Sequence, residues 1–191
     1  MTKQQFISTY WQHAVACQTA YGLPLAVILA QAGLESGWGA SVYQNNFFGI
    51  KANSAWKGKK QLLRTHEMLP KSSGYSFPEV ISITPTSTGK YDWYVRDYFR
   101  AYDTAEEGFM DYGAFITGNS RYNNAVINYK NTGNWQAYCR DIAAAGYATA
   151  TNYANSLIST TEQVINYLPL DWQQVKANSA KKKTSLVVQN F

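Results

Sequence analysis

Residues 25–51, LAVILAQAGLESGWGASVYQNNFFGIK, decide how the rest of the chain is read. Leu25, Ile28, Leu29 and Ala32 recur at the spacing of one helical face, and Pro24 suits the first helical position. Glu35 stands nearly two turns beyond Ile28, so it extends the same apolar stripe. A carboxylate in that position loses water, which raises its pKa and favours the protonated acid. Ser36-Gly37-Trp38-Gly39 then ends the helix with glycines and is expected to bring a large aromatic beside the acid. Such surroundings suit a general acid that holds its proton near neutral pH. The structural alternative is a last-turn glutamate whose head reaches solvent.

Outward from this stretch the pattern is helical on one side and extended on the other. Phe6, Tyr10, Ala14 and Cys17 predict an amphipathic helix over residues 3–21, closed by Gly22. His13 lies on it and is given no role. Lys59–Met68 and Asp92–Tyr102 read as extended, separated by a Ser/Thr/Pro/Gly-rich excursion from Pro70 to Lys90. Trp93, Val95, Phe99 and Ala101 alternate with Tyr94, Arg96, Tyr98, Arg100 and Tyr102, the pattern of a half-buried β-hairpin. The excursion is long for a hairpin connection, which marks it as mobile or functional.

From Thr104 the chain returns to helix. Thr104 with Glu107 makes a capping box, so Glu106 and Glu107 are read as structural. Gly108, Phe109, Tyr112, Phe115 and Ile116 form a buried stripe, and a turn at Gly118-Asn119 leads into a short segment over Arg121–Asn128. A helix carrying Trp135, Tyr138, Cys139 and Ile142 closes at Gly146, and a last one runs from about Thr151 to Tyr167, stopped by Pro169. Residues 171–191, with Lys176 and Lys181-Lys182-Lys183, read as a basic tail, either a floppy terminus or a binding extension.

Glu35 in LESGWG, followed by Asn45-Asn46-Phe47-Phe48-Gly49-Ile50-Lys51, resembles the bacterial cell-wall endo-β-N-acetylglucosaminidases. These are the flagellar rod-associated and autolysin enzymes within the wider lysozyme superfamily. Trp56-Lys57-Gly58, Phe99-Arg100-Ala101-Tyr102, Asn119-Ser120-Arg121-Tyr122 and Ala145-Gly146-Tyr147-Ala148-Thr149 carry the likeness on, in order, over residues 3–168. The resemblance implies an α+β, lysozyme-like fold, a mostly helical lobe with a small β-hairpin lobe forming a substrate cleft. The catalytic domain is then expected over residues 1–170.

Glycoside hydrolysis needs an acid at the leaving oxygen and a second group at the oxocarbenium-like carbon. Glu35 is the acid. The family carries a hairpin glutamate in a Thr-Thr-Glu-Tyr context; the matching residues are Thr65-His66-Glu67-Met68, which makes Glu67 the carry-over despite the weaker motif. Its competitors are Glu79, Asp92 and Asp97. Glu79 ranks second because it lies in the long excursion. Asp97 falls on an otherwise apolar strand face and is expected to pair with Arg64 or Arg100. Tyr147 matches the tyrosine of the family's Gly-Tyr-Ala-Thr motif, with Thr149-Ala150-Thr151 in place of the usual Thr-Asp-Pro. Asn46, Phe48 and Lys51 are assigned to the groove floor, and Trp38 and Trp56 to sugar contact or core packing. His66 neighbours Glu67 but faces the other way.

The totals agree with this reading. The 191 residues suffice for one self-sustaining core, and 46% hydrophobic with 15% charged residues fits a globular chain. The net charge of +5 suits an anionic wall polymer as well as nucleic acid, but no nucleic-acid motif is present. No apolar run is long enough to span a bilayer. MTKQQFISTYWQH has no signal-peptide core, so export by phage lysis, a secretion system or a leader removed beforehand stays open. Cys17 and Cys139 read as buried free thiols rather than a disulfide, and two histidines with no Cys/His cluster give no metal site and no cofactor.

The expected activity is a peptidoglycan endo-β-N-acetylglucosaminidase cutting the β-1,4 bond on the reducing side of N-acetylglucosamine. A water-activating Glu67, a covalent nucleophile and the substrate's acetamido group all remain open for the second half of the mechanism. The alternatives are a lytic transglycosylase or muramidase on the same scaffold, and a non-catalytic glycan-binding or adaptor module. The expected partner is the peptidoglycan glycan strand, met by a monomer in the periplasm or outside the cell. An immunity protein, or a secretion or lysis apparatus, is the further partner if the chain serves as a weapon or a phage lysin.

Overall fold

The computed structural model describes residues 1–148 and 150–169; the basic tail and its boundary lie outside the described residues. Helix α1 spans Lys3–Tyr21, opened by a reciprocal cap between Thr2 and Gln5 and closed by Gly22 in the left-handed region. Phe6, Ile7, Ala14 and Cys17 are its buried side. Helix α2, Leu25–Ser36, starts one residue after Pro24, which stands as its N-cap rather than inside the first turn. Every residue from Leu25 to Gly33 is buried. The helix is therefore not amphipathic, as a single stripe predicts, but runs through the middle of the domain. Its apolar surround and lone Gln31 place it there.

Helices α3 (Ala105–Gly118), α4 (Asn123–Thr132), α5 (Trp135–Ala144) and α6 (Tyr153–Tyr167) complete the helical lobe. α1 and α6 pack directly on α2, α3 packs on α1, and α5 joins α4 to α6. The segment over residues 121–128 is longer than expected: one 3-10 turn, Ser120–Tyr122, feeds straight into α4. Its Asn-rich sequence buries only Ala125 and Val126, too few to register as a stripe. Thr104 caps α3 by accepting from the Glu107 amide, while the Glu107 carboxylate reaches the Asp103 amide instead of the cap residue's own.

The β-lobe differs from a simple hairpin. Strands β1 (Lys60–Leu69), β2 (Glu79–Pro85) and β3 (Tyr91–Arg100) form an antiparallel sheet in the order β1-β3-β2. The Pro70–Lys90 excursion thus supplies a third strand on the open edge of β3. β2 is exposed along its whole length, so no apolar alternation announces it. Register sets Glu67 opposite Trp93 and Leu63 opposite Asp97, putting Glu67 and Asp97 on one face of the sheet.

Two glycines of α3 allow close approaches. Gly113 lets α3 meet Tyr21 and the Cys17 sulfur of α1, and Gly108 lets the first turn of α3 meet the Asn45 carbonyl. A Cβ at Gly108 collides with that backbone oxygen, which has no rotamer by which to yield. Gly108→Ala is expected to destabilise the fold by about 1–3 kcal/mol, since alanine's helix propensity, about 1 kcal/mol better, offsets only part of the clash. Urea unfolding checks this; an unchanged midpoint would remove Gly108 as a packing contact between α3 and the Asn45 loop. Cys17 and Cys139 are free and buried, their thiols pushed up to about 12 by burial, so neither is a nucleophile.

Candidate active site

The loop Asn45–Lys51 is built residue by residue to carry one charge to the cleft. Asn46 is buried and clamps the loop: its amide donates to the Ile50 and Arg100 carbonyls at 3.0 and 2.9 Å, and its oxygen accepts from the Ile50 amide at 3.0 Å. Phe47 enters the core, Phe48 stacks on Tyr112 with ring centroids 4.0 Å apart, and Gly49 turns the backbone at φ 61°. Lys51 then bridges to Phe99 of β3. Its ammonium meets Glu67 at 2.6 Å and Asp97 at 2.9 Å.

This corrects the expected partner of Asp97. Arg100 is taken by Asp111, with Nη1 at 2.7 and 2.9 Å from the two carboxylate oxygens, and lies against the Trp56 ring. Asp97 instead shares Lys51 with Glu67. Desolvation lowers the Lys51 pKa, but the bonds and charges of Glu67 and Asp97 outweigh it, so the ammonium is held above its ordinary value. Glu79 sits 3.5 Å from Arg96, and Asp92 binds His66 at 2.9 Å, both on the opposite face of the sheet.

A cleft of about 390 Å³ opens between the lobes, lined by Glu35, Phe48, Lys51, Arg121, Tyr122 and Tyr147 among others. Glu35 is exposed to it. Burial nevertheless raises the carboxyl's pKa, opposed by a hydrogen bond from Tyr153. The Tyr153 hydroxyl donates to Glu35 Oε1 at 3.0 Å and accepts from Gln31 Nε2 at 3.2 Å. Gln31 Oε1 in turn accepts from the Tyr112 hydroxyl. In this arrangement the Gln31 amide nitrogen donates to Tyr153, which leaves the Tyr153 hydroxyl hydrogen to point at Glu35. Tyr147 follows Gly146, which turns at φ 77°, and its ring stacks near Tyr153 with centroids 5.8 Å apart. Desolvation first, then the neighbouring Glu35 charge, hold the Tyr147 phenol well above its ordinary range, so it stays neutral.

The aromatic beside the acid is therefore not Trp38. That residue has φ 57° and folds its ring back over Gly33, edge-on to Phe6 and under the Lys3 ammonium. Gly33 has no Cβ because the indole occupies that space. Trp56 also stays outside the cleft lining; its indole donates to the Lys59 carbonyl at 2.8 Å and supports Arg100. Of the residues assigned from sequence, Glu35, Phe48, Lys51 and Tyr147 line the cleft. Glu67 stands behind Lys51, and Asn46 acts through the loop.

Tyr153 and Gln31 escaped the sequence reading. The signal was present: a glutamine at the centre of an apolar helix and a tyrosine at the head of a buried stripe each need a polar partner. Tyr153→Phe is expected to lower kcat about tenfold and to move the alkaline limb of the pH–rate profile upward. The lost bond favoured ionised Glu35, so without it the proton is kept to higher pH. A profile that drops in height without moving would reduce Tyr153 to packing.

A glutamate at the end of a buried helix, open to a cleft beside a small antiparallel sheet whose Glu67 pairs with the cleft-lining Lys51, is the layout of a lysozyme-like glycoside hydrolase. Residues 11–166 match the glucosaminidase family, described as mannosyl-glycoprotein endo-β-N-acetylglucosaminidase, and the chain belongs to that family. It is 29% identical over 167 residues to the peptidoglycan hydrolase FlgJ of Vibrio parahaemolyticus, covering 84% of this chain and 47% of the relative. The chain thus spans less than half the length of that relative. The glycoside hydrolase domain of Salmonella typhimurium FlgJ, C-terminally truncated, superposes with a TM-score of 0.62 at 30% identity, covering 86% of this chain and 99% of the other. A mutant peptidoglycan hydrolase from Sphingomonas sp. A1 gives 0.65 at 27% identity, covering 86% and 97%.

Proposed function

We propose that this chain hydrolyses the glycan strand of peptidoglycan as an endo-β-N-acetylglucosaminidase, cutting the β-1,4 bond on the reducing side of N-acetylglucosamine. The observation that carries the reading is Glu35, open to the cleft yet held toward its protonated form by burial and aimed by Tyr153. In the proposed reaction Glu35 protonates the leaving glycosidic oxygen. Tyr147, neutral and adjacent, supports the sugar ring as positive charge develops at its anomeric carbon. Glu67, gripped by Lys51, is the second carboxylate and receives a proton from the incoming water. Phe48 contributes an apolar floor.

Work on peptidoglycan takes place outside the cytoplasmic membrane. Among the described residues no helix is long and apolar enough to cross one. The test is mass spectrometry of digested sacculi. New reducing ends of N-acetylglucosamine support the proposal. Reducing N-acetylmuramic acid would mean a muramidase, and an anhydro end a lytic transglycosylase. Binding without any new end would mean an adaptor module.

A further inference from the structure

Three cations line the cleft, and two of them are already neutralised. Lys51 is shared by Glu67 and Asp97, and Arg100 is held by Asp111. Arg121 makes no ion pair among the described residues and is exposed. Its backbone is nevertheless anchored. The Asn119 side chain accepts from the Arg121 amide at 3.2 Å, and Tyr122, which follows, is buried with its ring 5.9 Å from the guanidinium. A second stretch of groove, sharing Asn53, Arg100 and Phe115 with the first, runs past Gly118, Asn119 and Ser120, the residues that lead into Arg121. Among the described residues, the only carboxylate on the lining of either stretch is Glu35.

A free guanidinium on the wall of a cleft whose other two cations are paired is a recognition group for an anion. A glycan made only of N-acetylglucosamine offers none. Peptidoglycan does: each N-acetylmuramic acid carries a lactyl group, which ends either in a free carboxylate or in a peptide with carboxylates of its own. We infer that Arg121 is a specificity residue that binds a carboxylate of the N-acetylmuramic acid unit, lactyl or peptide, and so selects peptidoglycan over neutral glycans. The inference rests on the proposed substrate. It goes beyond it by assigning the discriminating contact to one side chain outside the acid–base machinery.

Equilibrium binding tests it separately from turnover. Glu35→Gln protein, with Arg121 intact or changed to Gln or Lys, is titrated with three soluble glycans. One bears peptides, one is stripped to free lactyl carboxylates, and one has those carboxylates converted to methyl amides. Arg121→Gln is expected to weaken binding about 10- to 100-fold where a recognised carboxylate is present and to leave the methyl-amide glycan unchanged; Arg121→Lys should fall between. Loss only on the stripped glycan identifies the lactyl group, and loss only on the first identifies the peptide. Equal loss on all three, or none on any, would overturn the inference. Failure of the proposed function reads out elsewhere, as wild-type protein that releases no sugar ends from sacculi. Thermal melts of the variants exclude misfolding as the cause of a loss.

Discussion

Glu35→Gln is expected to lower the rate of glycan cleavage by about 10²–10⁴-fold while leaving binding of the strand intact. Glutamine keeps the size of the side chain and can still receive the Tyr153 hydroxyl bond, so the loss isolates the proton. The same change has a predictable effect on stability. Burial raises the Glu35 pKa in the folded state, so the folded protein holds this proton to higher pH than the unfolded chain does. Stability from this group is present at low pH and is lost as pH rises from the unfolded pKa through the folded one. At neutral pH the unfolded chain gains more by releasing this proton than the folded protein does, so Glu35→Gln should melt slightly higher than the parent. At pH 3 the two should converge. A variant with a tenth of the parent activity, or one that melts lower at neutral pH, would contradict the assignment.

Glu67→Gln is expected to slow cleavage by about 10²-fold with little change in KM. The neighbouring groups give this prediction its control. Lys51→Met leaves two half-buried carboxylates, Glu67 and Asp97, facing each other without their shared ammonium. It should therefore depress activity as well, by misplacing Glu67 through repulsion. Asp97→Asn keeps the Lys51–Glu67 contact and should cost much less. The ranking Glu67→Gln, then Lys51→Met, then Asp97→Asn, measured as kcat, checks the arrangement. If Glu67→Gln retains most of its turnover, the substrate's own acetamido group carries the second half of the reaction. Lys51 and Asp97 would then matter only to the fold of the β-lobe.

The helical lobe was largely legible in the sequence, because helix periodicity, glycine stops and caps are local signals. Gly22, Gly37, Gly133 and Gly146 all adopt the left-handed backbone at or just past helix ends. The strands β1 and β3 were legible for the same reason, since β1 alternates exposed and partly buried residues and β3 buries Trp93 and Val95 two apart. β2 was not, because a strand exposed along its length has no apolar period to detect. Side-chain direction was the harder quantity. Trp38 follows Glu35 closely in sequence, yet one positive φ turns its ring to the back of α2. Asp97 was recognised as out of place on its strand, but its partner comes from a loop distant in sequence rather than from an arginine of the sheet. Tyr153 reaches Glu35 across the interface of α2 and α6, a contact that depends on how the two helices cross. Local pattern names the elements; the relay behind the acid exists only once they pack.

The protonation of one carboxyl group can be measured without substrate. Glutamate labelled with ¹³C at the side-chain carboxyl, assigned by comparison with Glu35→Gln, lets the Glu35 resonance be followed from pH 3 to pH 9. A midpoint displaced above the ordinary glutamate range, moving higher still in Tyr153→Phe, is the expected result. A midpoint at or below that range in the folded protein would mean that Glu35 is ionised at neutral pH and cannot be the acid that starts the reaction.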